Sequence, residues 1–356
     1  MLVAALAIAS SAFAQADPGA ALLERAGWDA VAAGQADVAA GAFRQAIAAD
    51  PANARLHLGA ATAAFMQRRD DEAKRALDRA LTLDPKLADA ESLMGQVLHR
   101  MGDLPAAIRV YEKLALEKPG DTAARATLDR WRRELDLQQK MQQNVGDHFA
   151  VSFEGPSDDP LAAKVMESLD RAYWRIGTVL NTLPNVTVPV VLYTTQQFTD
   201  LTRSPSWAAG AYDGTIRVPM RGAPENDAEM DRVLAHEFTH ALVHTLSPTA
   251  IPTWLNEGLA TALESDDLEW AEQIVGKSGG VPLDVLRSSF GRLTDAQAAL
   301  AYASSAVTVH RMLQEAGGLA VTNLIRDLGA GAEFDAAFAR RIQRPFDEFQ
   351  ASLRSR

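Results

Sequence analysis

The chain of 356 residues contains no cysteine. That absence excludes disulfide staples, thiolate metal sites, cysteine nucleophiles and lipid attachment through an N-terminal cysteine. Basic residues are also short: 35 Lys and Arg face 46 Asp and Glu, a net charge of −11. A general nucleic-acid binder needs a basic surface to neutralise phosphates, so nucleic acid is not an expected partner. Past the N-terminus no apolar run approaches the ~20 residues of a membrane-spanning helix. What is present is ordinary globular composition, 47% hydrophobic and 23% charged. The length suits two or three domains, each able to bury a core.

The first fourteen residues read as an export signal. Leu2 to Ala9 is apolar, and Ala12-Phe13-Ala14 is an A-x-A cleavage pattern whose use would leave Gln15 at the new N-terminus. The first charged side chain is Asp17, so the basic n-region of such a signal is missing. Two readings stand: a start assigned too late, or a weak signal. With residues 1–14 as a signal peptide, the expected location is periplasmic or secreted.

An alanine-rich helical region follows. Pro51, Pro85 and Pro119 recur at intervals of 34 residues, each just after an apolar-periodic segment. Aligned on them, Ala39, Ala73 and Ala107 coincide, as do Phe43, Leu77 and Tyr111, then Ala46, Ala80 and Leu114. Gly27 and Gly95 agree, with Ala61 between. Over Ala20 to Thr122 this resembles three tetratricopeptide repeats, helix–turn–helix units with small residues where helices cross. The plainer alternative is an alanine-rich bundle with prolines spaced by chance. Ala123 to Gln143, with Leu128, Trp131 and Leu135, is the expected capping helix that closes such a stack. The resemblance implies a concave face able to bind a protein partner.

A composition shift at Asn144 to Asp147 marks the expected start of a second domain, residues 147–356. His148 to Phe153 alternates as a strand, and Gly155 to Pro160 is a turn cluster. Leu161 to Leu180 is helical, with Val165, Leu169, Ala172, Tyr173 and Ile176 on one face. Val188 to Thr194 is an apolar strand expected at the centre of a sheet. In Trp207 to Met220, Asp213-Gly214 signals a tight turn. Pro219 places the strand after it at a sheet edge, since proline cannot donate to a ladder. Beyond Glu264 the expected helices are Pro282–Leu286, Asp295–Ala316, Gly318–Leu328, Glu333–Arg341 and Pro345–Leu353, with Thr294 and Gln297 capping the longest.

The chemistry concentrates between Val233 and Glu264. His236 and His240, in HEFTH, are four residues apart on the helix Glu225–Leu246, which puts their Cβ atoms roughly 5–6 Å apart on one face. Two imidazoles so placed can converge on one metal ion, and Glu237 between them can take a proton from metal-bound water. Two histidines leave a tetrahedral zinc short of a third protein ligand. Glu257, in WLNEGLA after a break holding Pro248 and Pro252, is the natural candidate, with Glu264 as competitor. His244 continues the histidine face but drifts off it by about 40°; packing or a supporting role suits it better than ligation. His57, His99 and His148 lie outside this segment and carry no expected role.

HEFTH together with WLNEGLA resembles the gluzincin metallopeptidases, in particular the small peptidase-MA-like domains that often follow tetratricopeptide repeats in exported bacterial proteins. The resemblance spans about Asp147 to Leu328. It implies an α+β zincin-like fold, Zn2+ held by His236, His240 and Glu257, and Glu237 as general base. In that family a tyrosine stands shortly before a serine on a following helix, which matches Tyr302; its hydroxyl would help stabilise the oxyanion, with His310 the second choice. Four residues past Glu257 stands Thr261, where an acid would commonly orient a ligand. The expectation is a tetratricopeptide stack followed by a zinc-dependent hydrolase of peptide bonds. A scaffold that binds zinc without turnover, and hydrolysis of a non-peptide amide such as a cell-wall component, are the alternatives.

Overall fold

The computed structural model describes residues 18–155, 159–202, 210–221, 227–248, 251–287, 290 and 293–353. The expected signal Leu2–Ala14, the turn residues Pro156–Asp158, Trp207–Ala209 and Glu225 lie outside the described residues. The chain divides into two compact units between Val97 and Leu98.

The first unit holds α1 (Pro18–Ala32), α2 (Ala36–Ala49), α3 (Ala54–Met66), α4 (Asp70–Leu83) and most of α5 (Ala88–Arg100). Pro51 and Pro85 follow α2 and α4 by two residues, as the spacing predicts. The repeat also shows where it was not sought. Gly34, Arg68 and Gly102 have φ of 74°, 60° and 83° and turn the chain between paired helices, one per period. Two glycines adopt that left-handed conformation cheaply; Arg68 does so against its Cβ. Phe43 is fully buried, and a Cβ on Gly27 would lie 2.7 Å from its ring. The second glycine against that ring is Gly59, not the aligned Ala61, although Ala61 is also buried.

The second unit opens with α6 (Leu104–Glu117) and α7 (Thr122–Gln138). The Asp121 carboxylate accepts from the Ala124 amide at 2.9 Å and starts α7. The expected capping helix to Gln143 is too long: α7 ends at Gln138, and Met141–Val145 is strand β1. The polar run MQQNV buries no side chain fully and is held by antiparallel pairing with β2 (Phe149–Glu154), so apolar alternation could not reveal it. The composition shift at Asn144 to Asp147 falls at the turn of this hairpin.

After α8 (Asp159–Leu180) come β3 (Val188–Thr194), α9 (Thr195–Thr202), β4 (Ala211–Tyr212) and β5 (Ile216–Arg221). The sheet order is β1-β2-β3-β5-β4, with β3 central as expected. β2 and β5 run parallel to β3; β1 and β4 are antiparallel to their neighbours. Strand β5 is not an edge along its whole length. β4 pairs only with Ile216 and Arg217, and Pro219 lies past that pairing.

Alternation along β3 and β5 gives the sheet two covered faces. Val190, Leu192, Ile216 and Val218 join the main core with residues of α8 and α10 (Asp227–Leu246). Val191 and Tyr193 point the other way and pack with Leu137 of α7 and Phe198 of α9. The remaining helices are α11 (Thr253–Leu263), α12 (Glu269–Ser278), α13 (Asp295–Ala316), α14 (Gly318–Gly329), α15 (Phe334–Ile342) and α16 (Phe346–Leu353). Thr294 and Gln297 form the expected capping box at α13. The predicted helix Pro282–Leu286 is a single 3-10 turn, Leu283–Leu286, and α9 and α12 are additional to the predicted helices.

Candidate metal centre

Helix α10 presents His236 and His240 one turn apart, their ring centroids 4.9 Å from each other and their planes 80° apart. Its buried face, including Leu234, Phe238 and Leu242, is locked into the core, so the histidines cannot rotate away with the helix. Helix α11 crosses nearby and brings Glu257 up to them. Its Oε2 lies 3.7 Å from His236 Nε2 and 3.6 Å from His240 Nε2.

Two glycines stand where the site leaves no room for a side chain. A Cβ on Gly258 would lie 2.6 Å from the Ser305 carbonyl oxygen, so α11 packs on α13 at a distance no larger residue permits. A Cβ on Gly210, just before β4, would lie 2.5 Å from Glu237 Oε1 and 2.7 Å from its Cγ. Arg175 Nη2 donates to the Leu263 carbonyl at 2.8 Å and satisfies an open acceptor at the end of α11.

One atom each of His236, His240 and Glu257 falls within 4.8 Å of the others, the one group of metal-ligating type found among the described residues. Ligand atoms around a tetrahedral ion at 2.0–2.1 Å stand roughly 3.3 Å apart, so the carboxylate-to-imidazole spacings need little adjustment. Two imidazole nitrogens and one carboxylate oxygen form the donor set of an open, catalytic type of site. Beside them Glu237 is buried, and its Oε2 has no hydrogen-bond partner among the described residues. A buried carboxylate oxygen left without a donor is costly, and such groups concentrate where chemistry needs them. The residues present therefore fit a metal of this kind.

Glu264, the alternative to Glu257 in the sequence, stands elsewhere. Its Oε2 lies 2.7 Å from His236 Nδ1, on the far side of the ring from Glu257. Its other oxygen accepts from Arg232 Nη1 at 2.8 Å, and Arg232 is held in turn by Glu229. Glu264 thus occupies the Nδ1 side of the His236 ring and leaves Nε2 on the side of Glu257. The orienting acid absent at Thr261 thus arrives three residues later. The sequence contained this residue but no signal for its role, nor for Arg232 or Gly210.

The electrostatics follow from burial and proximity. Burial opposes the His236 cation, but the neighbouring carboxylates of Glu257 and Glu264 outweigh it and push the pKa up to about 10. Burial pushes the Glu237 carboxyl up against the two histidines, which pull it down. For Glu257, burial is outweighed by His240 and His236, and its carboxyl sits below the usual range.

Tyr302 belongs to this group: its phenol feels the Glu257 charge, and its ring meets Phe290 edge-on at 5.2 Å. Burial, then the Glu257 charge, pushes the phenol up, so it stays a proton donor through the neutral range. His310 is not part of the group; its ring bonds the Gln314 side chain at 2.7 Å. His244 packs against the Tyr212 ring at 5.7 Å. His57 bonds the Pro51 carbonyl, His99 bonds Glu134, and His148 stacks on Tyr173.

Comparison with known proteins bears on the helices ahead of this centre. The tetratricopeptide repeat family model matches residues 30–97 and again 71–130. Residues 30–130 are tetratricopeptide repeats. Solved structures similar to part of the chain are tetratricopeptide domains. The first such domain of human RPAP3 is 24% identical, covering 33% of this chain and 93% of that one, with a TM-score of 0.32. The second, in complex with the HSP70 peptide SGPTIEEVD, is 25% identical over 32% of this chain and 98% of that one, with a TM-score of 0.29. The Sgt2 domain of Aspergillus fumigatus is 25% identical over 37% of this chain and 91% of that one, with a TM-score of 0.33. No curated protein matches the chain. The family match ends at residue 130, well before His236.

Proposed function

We propose that the chain is a zinc-dependent hydrolase of peptide bonds, exported from the cytoplasm, with tetratricopeptide repeats that bind a protein partner. The observation that carries the hydrolase reading is the convergence of His236, His240 and Glu257, with a Glu237 oxygen beside them that has no partner among the described residues. The gluzincin resemblance of HEFTH and WLNEGLA supports the same assignment.

When bound by His236, His240 and Glu257, zinc would supply Lewis acidity, making water nucleophilic near neutral pH and polarising the scissile carbonyl. Glu237 takes the proton released by the attacking water and returns it to the leaving amine, so one water is consumed per bond broken. Its dry setting raises its basicity towards what that shuttle needs. Glu264 and Arg232 hold His236 in its ligating tautomer. Tyr302, protonated and within reach of Glu257, is the donor for negative charge developing on the carbonyl oxygen.

The repeats supply the second half of the reading. Within the first unit a groove of about 400 Å³ is lined by residues including Trp28, Arg55, Leu58, Asp89 and Gln96. In this reading it receives a segment of the partner. A scaffold that holds zinc without turnover would use the same groove.

Metal analysis of the purified chain and digestion of a peptide library, with and without chelator, test the hydrolase. We expect close to one zinc per chain and cleavage at defined bonds that chelation abolishes and added zinc restores. Zinc without cleavage would favour the scaffold, and release of amine only from a cell-wall amide would favour that substrate class. Replacing Glu264 by Gln keeps its volume but weakens the bond to His236 Nδ1. Zinc affinity, measured by competition with a chelator, is then expected to fall by about 10–100-fold. An unchanged affinity would show that Glu264 does not orient His236.

A further inference from the structure

A buried charged cluster outside the metal centre lies on the opposite face of the sheet, and nothing above uses it. Arg217 of β5 is 12% exposed at its side chain, and Glu134 of α7 is 4% exposed. Arg217 Nη1 stands 3.3 Å from Glu134 Oε1 and donates to the Tyr193 hydroxyl at 2.6 Å. Its Nε reaches both oxygens of Asp213, at 3.2 and 3.1 Å. Asp213 opens the β4–β5 turn and also accepts from the Thr215 amide. The other oxygen of Glu134 bonds His99 at 2.8 Å, and His99 stacks on Trp131 of the same α7. One guanidinium thus joins helix, central strand and hairpin turn.

That hairpin also forms a wall of the metal centre. Gly210 immediately precedes β4 and abuts the Glu237 side chain, and Tyr212 of β4 packs on His244. β4 is only two residues long and pairs only with β5, so its own ladder cannot hold it firmly. A planar, multidentate cation clamping the turn supplies what the short ladder lacks.

We propose that Arg217 is a positioning residue for the site: bound to Glu134 and Asp213, it fixes the β4–β5 hairpin so that Gly210 bears on the Glu237 carboxylate. The inference rests on the hydrolase reading for its effect on rate, but its structural half stands apart from activity. No ligand of the metal is touched, so zinc binding is left intact while the base is not.

The test uses the full chain with Arg217→Met, Arg217→Lys and Glu134→Gln, the last a milder variant should Arg217→Met fail to fold. Amide hydrogen exchange over 211–218, affinity for zinc alone, and kcat and KM for a cleaved peptide are measured. Arg217→Met is expected to speed exchange in the hairpin by about ten-fold or more, with α13 and α14 unchanged. Zinc affinity stays within about three-fold of wild type. kcat falls on the order of 10²-fold, as a displacement of about 1 Å at a catalytic group can produce, with the smaller change in KM. Arg217→Lys and Glu134→Gln fall between. Hairpin exchange like that of wild type, or faster exchange spread equally through α13 and α14, overturns the proposal. So does an unchanged kcat in a chain whose hairpin has loosened. If the wild-type chain cleaves nothing, the hydrolase reading fails by itself, and hairpin exchange alone then decides whether Arg217 holds the turn.

Discussion

Glu237→Gln is expected to lower kcat for peptide cleavage by about 10³-fold while leaving zinc content and zinc affinity unchanged. The substitution keeps the side chain's shape, so the packing against Gly210 survives, and it removes the one capacity the mechanism demands, uptake of a proton. A factor of that size corresponds to about 4 kcal/mol of barrier. Stability should move the opposite way. The Glu237 carboxylate is buried, and its Oε2 has no hydrogen-bond partner among the described residues. A neutral amide removes the desolvation cost of that charge. The variant should therefore unfold at the wild-type temperature or slightly above it. Loss of activity with a raised or unchanged Tm and full zinc is a combination that simple misfolding cannot produce. Cleavage at the wild-type rate would remove Glu237 from the mechanism.

How much of this was legible beforehand depends on which physical signal each residue leaves in the chain. His236 and His240 advertise themselves, because a four-residue interval on an amphipathic helix has one geometric meaning. The repeats were legible for the same reason, a period of 34 residues written in prolines and small side chains. Glu257 was the expected ligand with Glu264 as competitor, but the place of Glu264 against Nδ1 was not legible. Seven residues apart on one helix, they differ by only roughly 20° in direction and stand roughly 10 Å apart along the axis. Both face α10, and only the crossing of the helices decides which carboxylate meets Nε2 and which meets Nδ1 of His236. Strand β1 was hidden because backbone pairing, unlike core packing, leaves no hydrophobic pattern. Gly258 and Gly210 were visible as letters but not as contacts, since close approach depends on what lies opposite. Arg217 followed an Asp-Gly turn and looked like ordinary hairpin polarity, yet it lies against the far end of α7.

Trp254→Ala is expected to be the most destabilising single change near the site, by about 3–5 kcal/mol. Trp254 opens the WLNEGLA segment. It is fully buried, stacked on Phe346 at 5.8 Å and met edge-on by Phe334 at 6.0 Å. It ties the first turn of α11 to α15 and α16, while Glu257, one turn further, faces α10. Truncation leaves a cavity the size of the ring and frees the end of the helix that carries Glu257. Two effects should therefore appear together, a Tm lower by about 10 °C and weaker zinc binding, because part of the binding energy must then re-order α11. Trp254→Phe separates packing from hydrogen bonding. The indole Nε1 is buried with no partner among the described residues, so its removal forfeits no bond, and most of the stacking area remains. The phenylalanine variant should recover most of the lost stability and zinc affinity, as read by thermal unfolding with and without zinc. If Trp254→Ala costs less than about 1 kcal/mol, or if Trp254→Phe fares no better than alanine, α11 is held by something other than this aromatic anchor.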